Sequence, residues 1–163
     1  MTIDPETLPY RPCAGMMVLN RDGLVFVGRR IDTTLEAWQM PQGGIDEGED
    51  TQEAALRELE EEIGTRDVAI LGRSHDWLYY DLPPDLIGRA WGGKYRGQKQ
   101  IWFAMRLIAG DDAIRLDTAH PEFDAWRWAA LDELPGLAIP FKRPLYEQVV
   151  ALFRPYAKPE DGR

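Results

Sequence analysis

Residues 43–65 read GGIDEGEDTQEAALRELEEEIGT, a glycine-rich loop running into an acidic helix. At about 100° per residue, Ala55, Leu56, Leu59 and Ile63 fall on one arc, a stripe suited to burial. Glu58, Glu61 and Glu62 share a neighbouring arc of about 100°, whereas Glu60 falls well away from them. Like charges three and four residues apart destabilise a helix by roughly 0.2–0.5 kcal/mol per pair. Two such pairs, Glu58–Glu61 and Glu58–Glu62, border the apolar stripe, and a divalent cation would turn their repulsion into attraction. Carboxylate oxygens are what Mg²⁺ prefers, and it commonly keeps waters and shares phosphate oxygens with a substrate. Arg57 lies beside Glu61 on the wheel and is placed to orient it through a charge-assisted hydrogen bond. Gly43 and Gly44 let the backbone pass close to a ligand, and Glu49 can reach back towards Arg57 or the helix start.

Outward from this segment, Asp50 with Glu53 has the capping-box form and Gly64 is a stop, so the spacing predicts a helix over 51–63. Ala14 to Leu19, the turn Asn20-Arg21-Asp22-Gly23 and Leu24 to Gly28 read as a hairpin. Val68 to Leu71, Trp77 to Tyr80, Gln100 to Leu107 and Phe123 to Trp128 read as further strands. Pro144 opens a closing helix to about residue 153, with Leu145, Val149 and Leu152 as its apolar face. Pro41 to Asp50 reads as loop, and residues 1–9 and 158–163 as loose ends. One early and one late helix among strands predict an α/β fold with a mixed sheet between helices.

The bulk numbers bound the function. At 163 residues, 44% hydrophobic and 29% charged, the chain fits one ordinary soluble domain, with a core over about 9–156. No apolar run reaches the roughly 18 residues of a spanning helix, and the N-terminus lacks a secretory pattern. Cys13 is the only cysteine, so no intrachain disulfide forms, and a reducing cytoplasm is expected. His75 and His120 are too few and too far apart for a histidine-based metal site. The net charge of −9 argues against gripping long or double-stranded nucleic acid by its backbone, though a local basic patch suffices for a small polyanion or an RNA end.

The helix and its loop resemble the signature of the Nudix hydrolases: Gly, five residues, Glu, seven residues, then Arg-Glu-apolar-x-Glu-Glu-x-Gly-apolar. Gly43, Glu49, Arg57, Glu58, Leu59, Glu61, Glu62 and Gly64 fill it at the right spacing. Thr65 stands in the final apolar slot, a packing position. The resemblance implies an α/β/α sandwich in which Glu58, Glu61 and Glu62, joined by the Gly43 carbonyl, hold a divalent metal. Mg²⁺ is expected, with Mn²⁺ or Zn²⁺ as substitutes. It also implies cleavage of a pyrophosphate linkage by water attacking phosphorus as a general base removes its proton.

Outside the box, Tyr10-Arg11-Pro12, Trp38-Gln39-Met40-Pro41-Gln42, Gly97-Gln98-Lys99-Gln100, Pro121 to Trp128 and Phe141-Lys142-Arg143 look most like bacterial RNA pyrophosphohydrolases and the related dinucleoside polyphosphate hydrolases. Glu122 is then expected as a fourth carboxylate, binding metal or acting as base. Arg11, Arg29 and Lys99 are expected to contact phosphate. Tyr79 or Tyr80 is a candidate to stack on a base, and Phe141 and Lys142 form an exposed wall beside a nucleotide. Arg89, Lys94 and Arg96 make a basic loop that steers phosphates, while Trp38, Trp102, Trp126 and Trp128 belong to the core. The expected substrate is 5′-triphosphate RNA or a dinucleoside polyphosphate, and the oligomeric state is open. The alternatives are removal of surplus nucleoside triphosphates, or a silent Nudix-like module that binds nucleotide or RNA. The intact Glu58, Glu61 and Glu62 weigh against the silent module.

Overall fold

The apolar run from Cys13 to Leu19 becomes the centre of a mixed sheet in the computed structural model, which describes residues 4–31, 36–119 and 121–160. Strand β1 (Tyr10–Leu19) runs parallel to β7 (Gly97–Leu107), in register from Tyr10↔Gly97 to Leu19↔Arg106. Each central strand is shared along its length by two partners. On β1 these are β4 (Gln42–Gly44) at Cys13 to Gly15 and β2 (Val25–Arg30) at Leu19. On β7 they are β6 (Leu78–Asp81) near its start and β5 (Val68–Arg73) near its end. Strand β2 also carries β3 (Trp38–Gln39) and β8 (Phe123–Ala129), and all these pairings apart from β1–β7 are antiparallel.

Because side chains alternate across a strand, the sheet buries two faces. Ala14, Met16, Val18, Phe103 and Met105 meet Ala55, Leu59 and Ile63 of α1 (Thr51–Ile63) on one side. Met17, Leu19, Val27, Trp102 and Ala104 meet α3 (Arg143–Phe153) and the short α2 (Leu134–Leu137) on the other. This is the expected α/β/α sandwich. Trp102 is fully buried and fills the space above Gly15, where a Cβ would run into its ring. Trp126 stacks on Phe26 at 5.5 Å between ring centres and, with Trp38 and Trp128, is half-buried at the core's margin.

Three expectations change. Strand β4 lies inside the segment read as loop, because a glycine-rich strand has no apolar alternation to show. The buried face of α3 is Leu145, Tyr146, Val149, Val150 and Phe153, while Leu152 is 43% exposed. The chain ends are tied down further than their composition suggests. Asp4 caps a turn of 3₁₀-helix at Pro5–Thr7. At the other end the Arg106 guanidinium donates to the carbonyls of Asn20 (2.6 Å) and Lys158 (3.2 Å), and the Glu160 N–H donates to the Arg21 carbonyl at 2.7 Å. The tail is thus latched to the β1–β2 turn as far as Glu160. Residues 161–163, 1–3 and His120 lie outside the described residues.

Candidate active site

The helix that carries the acidic residues is well specified at both ends. The Asp50 carboxylate accepts from the Glu53 N–H at 3.1 Å, and Gly64 closes the helix at φ 82°, in the left-handed region that favours glycine. Glu58 and Glu62, one turn apart, then face the starts of β1 and β7. There they line a cavity of about 440 Å³ with Glu61 and Glu122, and Arg11, Arg30 and Lys142 line it as well.

Arg57 organises the acidic side. Its Nε and Nη2 donate to the two oxygens of Glu49 at 2.8 and 2.9 Å, and Nη2 also reaches the Gly44 carbonyl at 3.0 Å. Its Nη1 donates to Glu58 at 3.0 Å and, at 3.4 Å, to Glu61. One guanidinium therefore ties the loop to the helix and fixes two carboxylates, the bidentate geometry lysine lacks. The Arg57 hydrogen bonds hold Glu49 down to about 2, so that tie persists through neutral pH. Arg57→Lys is expected to weaken divalent-metal binding by about 10–100-fold, as loss of an outer-shell partner does, with activity partly restored at high metal concentration. A metal titration checks it, and unchanged affinity would remove Arg57 from the site.

Glu62 is 4% exposed, and its Oε2 has no hydrogen-bond partner. Burial, followed by the charges of Glu58 and Glu122, pushes its carboxyl well above 4.5, against a hydrogen bond from the Gln42 backbone. Burial also raises Glu58, with Arg57 pulling the other way. Strand β4 presses against this face so closely that a Cβ on Gly43 would collide with the Glu58 carboxylate. Among the described residues no three His, Cys, Asp or Glu side chains are gathered at ligating range, and Arg57 draws Glu58 and Glu61 to itself. The donor set is nevertheless all oxygen, and the buried, unpartnered Oε2 of Glu62 is what a hard divalent cation would satisfy.

The expected phosphate contacts divide. Arg11 lines the cavity, but Arg29 does not: its Nε is bonded to Asp124 at 2.8 Å and its guanidinium lies over Trp38. Of the adjacent pair Arg29 and Arg30, it is Arg30 that lines the cavity. Lys99 lies outside it, its ammonium 4.7 Å from the centre of the Trp77 ring. On the opposite face of β7, Gln98 and Gln100 are buried; Trp102 Nε1 donates to Gln100 Oε1 at 2.7 Å, and Gln100 Nε2 donates to Gln98 Oε1 at 2.6 Å. Strand alternation across GQKQ was the signal for Gln98.

Tyr79 is exposed and sits edge-on to Tyr10, outside the cavity, whereas Tyr80 is buried in its wall, 5.7 Å from Phe141. Lys142 is 6% exposed, so it is not the exposed wall expected: its Nζ lies 3.4 Å from Gln39 Oε1. Phe141 is half-buried and lines a second cavity of about 370 Å³ with Trp38, Leu86 and Ile139, which shares Arg30 and Lys142 with the first. In the basic loop Arg96 is engaged by Asp81 at 3.4 Å and lies over the Tyr10 ring, leaving Arg89 and Lys94 exposed. Trp91, not foreseen, lines the acidic cavity.

Comparison with known proteins shows the family and the fold. An RNA pyrophosphohydrolase of Cereibacter sphaeroides is 57% identical over 157 residues, 95% of this chain and 97% of that protein. One of Rhodospirillum rubrum is 59% identical over 153 residues, 94% and 92% of the two chains. Among solved structures, the E. coli dihydroneopterin triphosphate pyrophosphohydrolase superposes with a TM-score of 0.65 at 20% identity, covering 88% of this chain and 99% of its own. A C. elegans Ap4A hydrolase superposes at 0.63 and 20% identity, covering 89% and 98%. The NUDIX domain model matches residues 9–149, and the chain belongs to the Nudix family.

Proposed function

We propose that this chain is a pyrophosphohydrolase that converts the 5′-triphosphate end of RNA to a monophosphate end. The observation that carries this reading is the junction of two cavities. The polar one, with its carboxylates and cations, suits a metal-bound polyphosphate, and the apolar one beside Phe141 and Trp38 suits a nucleobase. Arg30 and Lys142 stand where the two meet. The name borne by relatives at 57% and 59% identity supports an RNA end over a dinucleotide.

Nudix hydrolases generally need a divalent metal. Here Glu58, Glu61, Glu62, Glu122 and the Gly43 carbonyl would hold it, an oxygen set suited to Mg²⁺ or Mn²⁺ more than to Zn²⁺. When bound, it supplies Lewis acidity towards phosphate oxygens and lowers the pKa of water. Arg11, Arg30 and Lys142 offset the remaining charge of the polyphosphate chain, and Glu122, exposed at the rim, accepts the proton of the attacking water. Because only an end is gripped, the net charge of −9 is no obstacle. No helix among the described residues is long and apolar enough to cross a membrane, and a cytoplasmic place, where RNA ends are met, is part of the reading.

The test is a side-by-side rate comparison in Mg²⁺ with a short 5′-triphosphate RNA, diadenosine tetraphosphate and the four nucleoside triphosphates. The RNA is expected to have the highest kcat/KM, by about tenfold or more, a difference of about 1.4 kcal/mol in transition-state binding. A faster reaction with the dinucleotide would transfer the assignment to polyphosphate signals. No cleavage of any of them by metal-loaded protein would overturn the choice of substrate.

A further inference from the structure

The geometry points to Trp91 as a positioning residue that keeps the Arg11 guanidinium aimed into the polyphosphate cavity. Among the described residues Trp91 is the one non-glycine residue at positive φ, at 50°. For so bulky a side chain that is a true outlier. Its loop joins β6 to β7 and holds three glycines, Gly88, Gly92 and Gly93, at φ 88°, 68° and 76°. Glycine takes such angles freely, so the unfavourable conformation falls on Trp91.

The surroundings enforce it. The Leu82 N–H donates to the Arg96 carbonyl at 2.8 Å and the Arg96 N–H to that of Pro9 at 3.0 Å, closing the base of the loop. Higher up, the Ala90 N–H donates to the Leu86 carbonyl at 3.0 Å, and Leu86, Ile87 and Trp91 pack against the α3-side core. A strained residue held this firmly is a common mark of a functional wall.

What the strain places is an indole on the cavity, with the Arg11 guanidinium carbon 5.8 Å from its ring centre. That is within cation–π range. The other boundary of this seat is Gly44, where an added Cβ would lie 2.8 Å from Arg11 Nη2. Among the described residues Arg11 forms no ion pair, although its charge is felt by Glu58. A long, unpaired arginine beside carboxylates would swing towards them. The indole, the narrow seat at Gly44 and a hydrogen bond from Arg11 Nη1 to the Cys13 Sγ at 3.8 Å keep its charge for a phosphate chain.

This inference rests on reading the cavity as the polyphosphate site, so its test uses inorganic triphosphate, which needs neither RNA nor turnover. Binding is measured by calorimetry in Ca²⁺ for wild type, Trp91→Ala, Trp91→Phe, Trp91→Gly, Arg11→Ala and the Arg11→Ala/Trp91→Ala pair. Trp91→Ala is expected to weaken binding about tenfold, with Trp91→Phe retaining most of it. Trp91→Gly loses the same packing as Trp91→Ala but relieves the backbone, so it should melt higher than Trp91→Ala while binding as weakly. The double variant should bind no worse than Arg11→Ala alone.

Losses that multiply in the double variant would overturn the inference, because the indole would then act on the ligand and not through Arg11. So would unchanged binding in Trp91→Ala and Trp91→Gly, which would leave the residue a structural part of the loop. Should the expected pattern appear in a protein that fails to cleave RNA, the inference stands and the RNA assignment falls.

Discussion

Replacing Glu62 by Gln is expected to lower kcat/KM on the polyphosphate substrate by about 10³-fold, several kcal/mol of transition-state stabilisation, while making the metal-free protein more stable. A functional group that is also a folding liability shows such opposite signs. Glu62 is almost fully buried, its Oε2 is unpartnered, and Glu58 and Glu122 add like charge. Burying an unpaired amide costs about 1–3 kcal/mol and an unpaired charge more, so the neutral isostere is expected to gain on the order of 2 kcal/mol. At this chain length that is roughly 4–8 °C in melting temperature in the presence of a chelator.

The pH dependence has a definite sign. Folded Glu62 holds its proton more tightly than the unfolded chain does, so its penalty is absent at acid pH. The penalty grows as pH rises past 4.5 and is complete once pH exceeds the raised folded value. The Gln variant should lack this part of the decline. Saturating Mg²⁺ should reverse the order of stability, since it binds the folded wild type alone. Melting curves of both proteins with and without metal decide the matter, and a destabilised variant in chelator would show that Glu62 is not a buried liability.

Gly43→Ala is the second large effect, a loss of about 10²- to 10³-fold in kcat with little change in melting temperature. The added methyl would collide with the Glu58 carboxylate. Strand β4 is held from behind by its pairing with β1, Gly43 facing Ala14, and so it does not retreat. The carboxylate end is the part free to move, which makes the substitution mild for folding and severe for a site that needs Glu58 within about 0.5 Å of its place. Steady-state rates across a metal titration measure it. Near-wild-type turnover would mean that Glu58 works from a position other than the one it holds beside Gly43.

How far the sequence spoke depended on periodicity. A helix with caps at both ends and three glutamates on one arc is legible because spacing alone places its side chains. Strand β4 was not, since Gln42-Gly43-Gly44 has no alternating apolar pattern, although it is the strand that meets Glu58. Adjacent arginines at the end of β2 must diverge, and nothing local tells which of Arg29 and Arg30 turns inward; Asp124 decides it by taking Arg29. Tyr79 and Tyr80 separate for the same reason. Lys142 reads as a surface charge because burial of a lysine depends on distant residues, here Gln39 and Tyr80. Trp91 was silent because its conformation is set by a loop with no repeat.

The latch that Arg106 makes between the β1–β2 turn and the tail gives the molecule a front and a back. β1 spans ten residues, about 30 Å at 3.3 Å each, with Arg11 near one end and the turn that receives Glu160 at the other. Glu160 is therefore held at the back, so a support or another protein attached at that end of the sheet leaves the mouth turned to solution.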